Sequence, residues 1–63
     1  MYSFREKHLK YNKSIALLNV ETLQGAKKEA TRLRKFSNSG LQVYCDDKLV
    51  AQRTAYQQWT MFV

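Results

Sequence analysis

His8, Cys45 and the adjacent carboxylates Asp46 and Asp47 are the residues of this 63-residue chain whose types best suit proton transfer, nucleophilic attack or metal binding. His8 lies among Glu6, Lys7 and Lys10, and spacing places no serine or cysteine beside it, so its ordinary role is that of a surface imidazole. Cys45 falls on the apolar side of an alternating stretch, where a buried thiol is inert. Asp46 and Asp47 could begin a cation site. No third ligand follows them, however, and two acidic residues between alternating runs ordinarily make a turn. One histidine and one cysteine give no zinc spacing, and two glycines cannot build a phosphate loop. The sequence predicts no catalytic residue, no metal, no cofactor and no small-molecule substrate.

The remaining chemistry is that of charge. Eleven Lys and Arg against five Asp and Glu give a net charge of +6, which favours nucleic acid, an anionic membrane or an acidic protein surface as partner. In TLQGAKKEATRLRK, residues 22 to 35, five cations (Lys27, Lys28, Arg32, Arg34 and Lys35) outnumber one anion, Glu29, a local excess of 5 − 1 = +4. At helical spacing Lys28, Arg32 and Lys35 point away from the stripe of Leu23, Ala26, Ala30 and Leu33, with Lys27 and Arg34 on its flanks. That arrangement suits a ridge tracking phosphates. It equally suits the solvated outer face of a helix, because Lys and Arg are good helix formers. Tyr2, Phe4, Tyr11, Tyr44, Tyr56 and Trp59 are available to stack on bases or to pack in the core and on the sheet. Tyr56, Trp59 and Phe62 are also candidates for a protein interface.

Elements to position these residues follow from the apolar period. The stripe predicts a helix over about Thr22 to Phe36, with Thr22 as N-cap. SNSG supplies the stop, Asn38 or Gly40 taking the left-handed conformation. Gly25 is irregular in a helix and suggests a close approach to a strand. SIALLNV, Ser14 to Val20, is apolar on both alternating sets, as in a strand in the middle of a sheet. Tyr2 to Tyr11 changes its apolar set midway, which predicts a bulge, and Asn12 with Lys13 predicts the turn to the next strand. Leu41, Val43 and Cys45 share one strand face and Gln42 and Tyr44 the other. Asp46 and Asp47 turn the chain into Leu49 to Thr54. The tail alternates Trp59, Met61 and Val63 against Thr60 and Phe62, either as a fifth strand or as an interface. The expected fold is α+β, β-β-α-β-β(-β), one helix on a mainly antiparallel sheet in a single domain over residues 1–63.

So short a chain buries only roughly 60% of its unfolded surface, and a lone cysteine excludes an internal disulfide. Packing or self-association must stabilise it, and a homodimer burying the aromatic tail would enlarge the core. No run is long enough to span a membrane, the N-terminal residues do not follow a secretory pattern, and a free thiol suits a reducing compartment. The expected location is the cytoplasm.

An apolar strand, then AKKEATR (Ala26 to Arg32), a polar loop, LQVYCDDKLVAQR and Trp59 together resemble small accessory proteins of bacteriophages and prophages. The resemblance implies an intracellular, non-catalytic role such as binding a host complex, and a location in the host cytoplasm. Two expectations follow. The first is a module that engages nucleic acid or a nucleic-acid-processing complex through Lys27, Lys28, Arg32, Arg34 and Lys35. The second is an inhibitor or assembly factor that occludes a protein through a strand edge and Tyr56, Trp59 and Phe62.

Overall fold

The structure is a computed structural model and describes residues 1–36, 38–54 and 58–62. Five strands and one helix follow in the order β1 (Tyr2–His8), β2 (Tyr11–Leu17), α1 (Leu23–Leu33), β3 (Gly40–Cys45), β4 (Lys48–Arg53) and β5 (Thr60–Met61). The strands form one antiparallel sheet ordered β2-β1-β3-β4-β5, and α1 packs on β1 and β3. This is the expected α+β arrangement, with the tail contributing the fifth strand.

The first hairpin differs from the pattern read in the sequence. β1 runs without a bulge, the turn is Leu9-Lys10 and not Asn12-Lys13, and β2 begins at Tyr11. β2 is also an edge strand, not a central one. The cause is Glu6, which sits on the inward face with Tyr2 and Phe4 and is buried. A carboxylate at a core position makes the alternation look broken where it is continuous. Pairing Tyr2 with Leu17 and Phe4 with Ile15 then sets the apolar members of both strands on the same face. Leu18, Asn19 and Val20 leave the sheet and lead into α1, with Val20 packed against the core.

Thr22 caps α1 as expected, its hydroxyl accepting from the Gly25 N–H at 3.1 Å. Ala26 and Ala30 are fully buried, so the helix lies close to the sheet, whereas Leu33 at the end of the stripe is exposed. The helix ends at Leu33 and not at Phe36, and the stop is not a left-handed residue at Asn38 or Gly40. Arg34 turns extended (φ −61°, ψ 143°). The next two backbone N–H groups, of Lys35 and Phe36, donate to the Glu6 carboxylate at 2.7–2.9 Å. Ser39, itself buried, adds its hydroxyl at 2.6 Å. A side chain of β1 thus takes the two N–H groups that, in a left-handed cap, would turn back to the last carbonyls of the helix.

Asp46 and Asp47 make the β3–β4 turn with φ of 50° and 72°, the left-handed pair that matches strand twist in a two-residue hairpin. The bulge in the sheet lies here. Leu49 pairs with Tyr44 and Ala51 with Val43, leaving Val50 as the extra residue. Val50 and Ala51 are consequently both buried, and they join Phe4, Leu17, Ala26, Ala30, Leu41 and Val43 in the core. Each large apolar side chain so buried contributes about 1.5–3 kcal/mol.

Candidate functional site

The helix cations do not form one ridge. Lys28 is exposed on the outer side of α1, as expected. Arg32 points outward too, but its guanidinium reaches Glu29, Nη2 to Oε2 at 2.7 Å and Nε to Oε1 at 3.3 Å, so the outer face carries an anion. The hydrogen bond and charge of this pair hold the Glu29 carboxyl below its ordinary value and raise the guanidinium. Lys35 lies beyond the helix, with Nζ 5.0 Å from the centre of the Tyr11 ring and 5.7 Å from that of Phe36. Arg34 is the half-buried residue that ends α1. Loss of helical geometry after Leu33 separates the last two cations from the first three.

Lys27 instead turns toward the tail. Its ammonium stands 5.9 Å from the centre of the Trp59 ring and 3.9 Å from the Met61 sulfur. Trp59 is half-buried, one part of it packed on the core. Two shallow depressions meet at this pair. One of about 340 Å³ is lined by Gln24, Lys27, Lys28, Thr31, Arg32 and Trp59. The other, of about 470 Å³, is lined by Lys27, Arg53, Gln58, Trp59 and Met61. Four cations, Lys27, Lys28, Arg32 and Arg53, therefore surround one aromatic ring, with amide and hydroxyl groups between them. Three of the candidate helix cations, Lys27, Lys28 and Arg32, and the candidate interface residue Trp59, which were separate expectations, form one surface.

Arg53, Gln58 and Met61 were not among the sequence-derived candidates. Arg53 shares a parity with Ala51, and its partner in the sheet is Leu41, so it lies on the helix side. Alternation from Ala51 carried that signal. Phe62 is exposed, its N–H donating to the Val50 carbonyl at 2.9 Å. Tyr56 lies outside the described residues.

The other flank of α1 is different in kind. A groove of about 510 Å³ runs between the helix and the β2 edge. Leu18 and Leu33, both exposed, lie along it with Val20. On the face of the sheet away from the helix, the register places Ser3, Arg5, Lys7, Ser14, Gln42, Tyr44 and Gln52. Arg5 donates to Ser14 at 3.3 Å, and Gln42 bonds Gln52 and Tyr44 at the same distance.

The residues with catalytic or ligating types are dispersed. The His8 ring stacks on Phe36 with centroids 4.2 Å apart, and its Nδ1 accepts from the Lys10 N–H. Cys45 is half-buried against the core, not fully buried as its strand position suggests. Asp46 accepts from the Met1 amino group at 2.7 Å. Among the described residues no three of His, Cys, Asp and Glu gather in one place, and no helix is long and apolar enough to cross a membrane.

Glu6 has the most altered surroundings of the acidic residues. Burial, the largest single influence, pushes its carboxyl up. The Ser39 hydroxyl and the Lys35 and Phe36 N–H groups, with His8 nearby, outweigh burial and hold it below the ordinary value. Its hydrogen bonds come from the chain that follows α1, so its part is structural. No protein-family model matches the chain, and searches of curated proteins and of solved structures give no match.

Proposed function

We propose that this protein is a non-enzymatic module that binds nucleic acid where α1 meets β4 and β5. The observation that carries the reading is Trp59, half-buried between two depressions lined by Lys27, Lys28, Arg32 and Arg53. Phosphates take the cations and the ring offers a surface to a base, the two contacts from which general nucleic-acid affinity is built. Such a module works by occupying its target, which accords with the accessory role in a host nucleic-acid-processing complex that resemblance to bacteriophage proteins implies.

Binding of this kind is steeply salt-dependent, log K falling by about 0.7–0.9 per neutralised phosphate for each tenfold rise in salt. With three or four phosphates engaged, the expected slope is about −2 to −3.5. Lys28→Glu combined with Arg32→Glu should lower affinity at least tenfold while leaving the far-ultraviolet circular dichroism unchanged. Negligible binding of mixed-sequence DNA and RNA by the natural chain at about 50 mM salt would refute the proposal.

One observation favours a second reading, docking of a protein strand. β2 is a free edge beside a groove carrying exposed Leu18 and Leu33, the setting in which an added strand finds both backbone partners and side-chain pockets. Under that reading Leu18→Asp with Leu33→Asp abolishes capture of the partner, and Lys28→Glu with Arg32→Glu does not.

A further inference from the structure

We infer that the ligand of this site is single-stranded, and that one unpaired base stacks on Trp59 in the place now held by the Lys27 ammonium. The inference rests on the nucleic-acid reading and deepens it. Three observations carry it. Trp59 does not project from the surface: it is half-buried and packed on the core at the junction of α1 and β5, so it cannot enter between the stacked pairs of a duplex. An unpaired base, free to swing out, can reach it.

Lys27 occupies the ring only loosely. Its ammonium is 5.9 Å from the ring centre, and its other neighbour is a thioether sulfur at 3.9 Å, a weak acceptor. A phosphate is a far stronger partner for an ammonium than either. The depressions on both sides of Lys27 give its four-carbon stem somewhere to move. The strand therefore draws Lys27 off the ring onto a phosphate, and the base takes the vacated face. Lys28 and Arg32 on α1 and Arg53 on β4 stand on the two sides of the ring to receive the neighbouring phosphates.

The chain has a single tryptophan, so its fluorescence reports this ring alone. Three probes of about 12 nucleotides, within the range small single-strand-binding modules cover, separate the contributions: an oligothymidylate, a duplex of mixed sequence, and an abasic oligomer that keeps the phosphates. The oligothymidylate should quench Trp59 and bind roughly 10- to 100-fold more tightly than the abasic oligomer, the amount one base–aromatic stack supplies. The duplex should bind more weakly and leave the fluorescence largely unchanged. Lys27→Met keeps the apolar stem and should make the salt slope for the oligothymidylate shallower by about 0.7, one phosphate.

Equal affinity for the oligothymidylate and the abasic oligomer, or equal quenching by the duplex, would overturn the inference and leave the nucleic-acid reading standing. A salt slope unchanged in Lys27→Met would overturn the movement of Lys27. Failure of all three probes to bind would remove the reading itself. Trp59→Phe, which keeps a ring in the core contact, guards against mistaking unfolding for lost stacking. It should retain the circular dichroism and bind the oligothymidylate more weakly, and undiminished binding would count against the stack.

Discussion

Glu6→Gln is the substitution with which to test how this fold closes. The Glu6 carboxylate is 1% exposed and accepts from three donors, the Lys35 and Phe36 N–H groups and the Ser39 hydroxyl, at 2.6–2.9 Å. Glutamine has the same shape, but if its oxygen takes the place of Oε2, which all three donors reach, its amide group replaces Oε1 and stands 2.7 Å from the Lys35 nitrogen, donor against donor; the flipped amide sets a donor against all three. One donor left unpaired costs about 1–3 kcal/mol, and loss of the charge weakens the bonds that remain. The expected loss is about 2–4 kcal/mol. A domain of 63 residues has about 3–9 kcal/mol in all, at roughly 0.05–0.15 kcal/mol per residue, so the loss is a large part of the total. In equilibrium urea denaturation, with a slope near 1 kcal/mol/M for so small a domain, the midpoint should fall by about 2 M or more. The natural chain should also lose stability on the acid side. The folded-state carboxyl of Glu6 lies below its ordinary value, so the unfolded chain binds more protons as pH falls. The contribution is present above the ordinary carboxylate value and is lost as pH passes down through the folded one. Glu6→Gln should flatten that decline, leaving the part due to Glu29, whose carboxyl Arg32 also holds below its ordinary value. A midpoint within about 0.5 M of the natural chain, together with an undiminished acid-side decline, would refute this account of the lock.

Two further changes test local chemistry. Thr22→Ala removes the hydroxyl that accepts from the Gly25 N–H and should cost about 1 kcal/mol by the same urea measurement; no loss would mean that water replaces the cap. Asp47→Gly relieves a non-glycine residue held at φ 72° and should raise stability by about 0.5–1 kcal/mol, because the second position of this turn favours glycine. A lower midpoint would show that the Asp47 side chain contributes more than its backbone conformation costs.

The helix and the second hairpin were legible because their signals are local. The four-residue stripe, Thr22 one step before it, and Asp46-Asp47 between alternating runs each act within a few residues. The first hairpin and the end of α1 were not, and both failures trace to Glu6. A glutamate reads as an outward residue, and the donors that let it point inward lie 29 to 33 positions further along the chain. The candidate site was legible in its ingredients but not in its assembly. Lys27, Lys28, Arg32 and Trp59 could be named from the sequence. Their meeting depends on β5 pairing with β4 and bringing Trp59 against the flank of the helix, a long-range contact that no spacing encodes. Arg53 joins them because the Val50 bulge sets Ala51 and Arg53 on the helix side.

The tail is what distinguishes the two flanks of α1. The helix stands over β1 and β3, leaving the outer strands beyond its cover on both sides. On the β2 side the space remains a groove edged by Leu18 and Leu33. On the β4–β5 side Trp59 and Met61 fill part of it and convert bare apolar surface into a ring surrounded by cations. Without the tail, Lys27 would have no ring to rest on. The Glu6 lock, by contrast, acts on the chain just after α1, through backbone groups that the binding side chains do not touch. Stability and binding are therefore separable by substitution. A variant such as Lys28→Glu that loses nucleic acid at an unchanged urea midpoint has lost a surface, and one whose midpoint falls with its affinity has lost the fold that presents it.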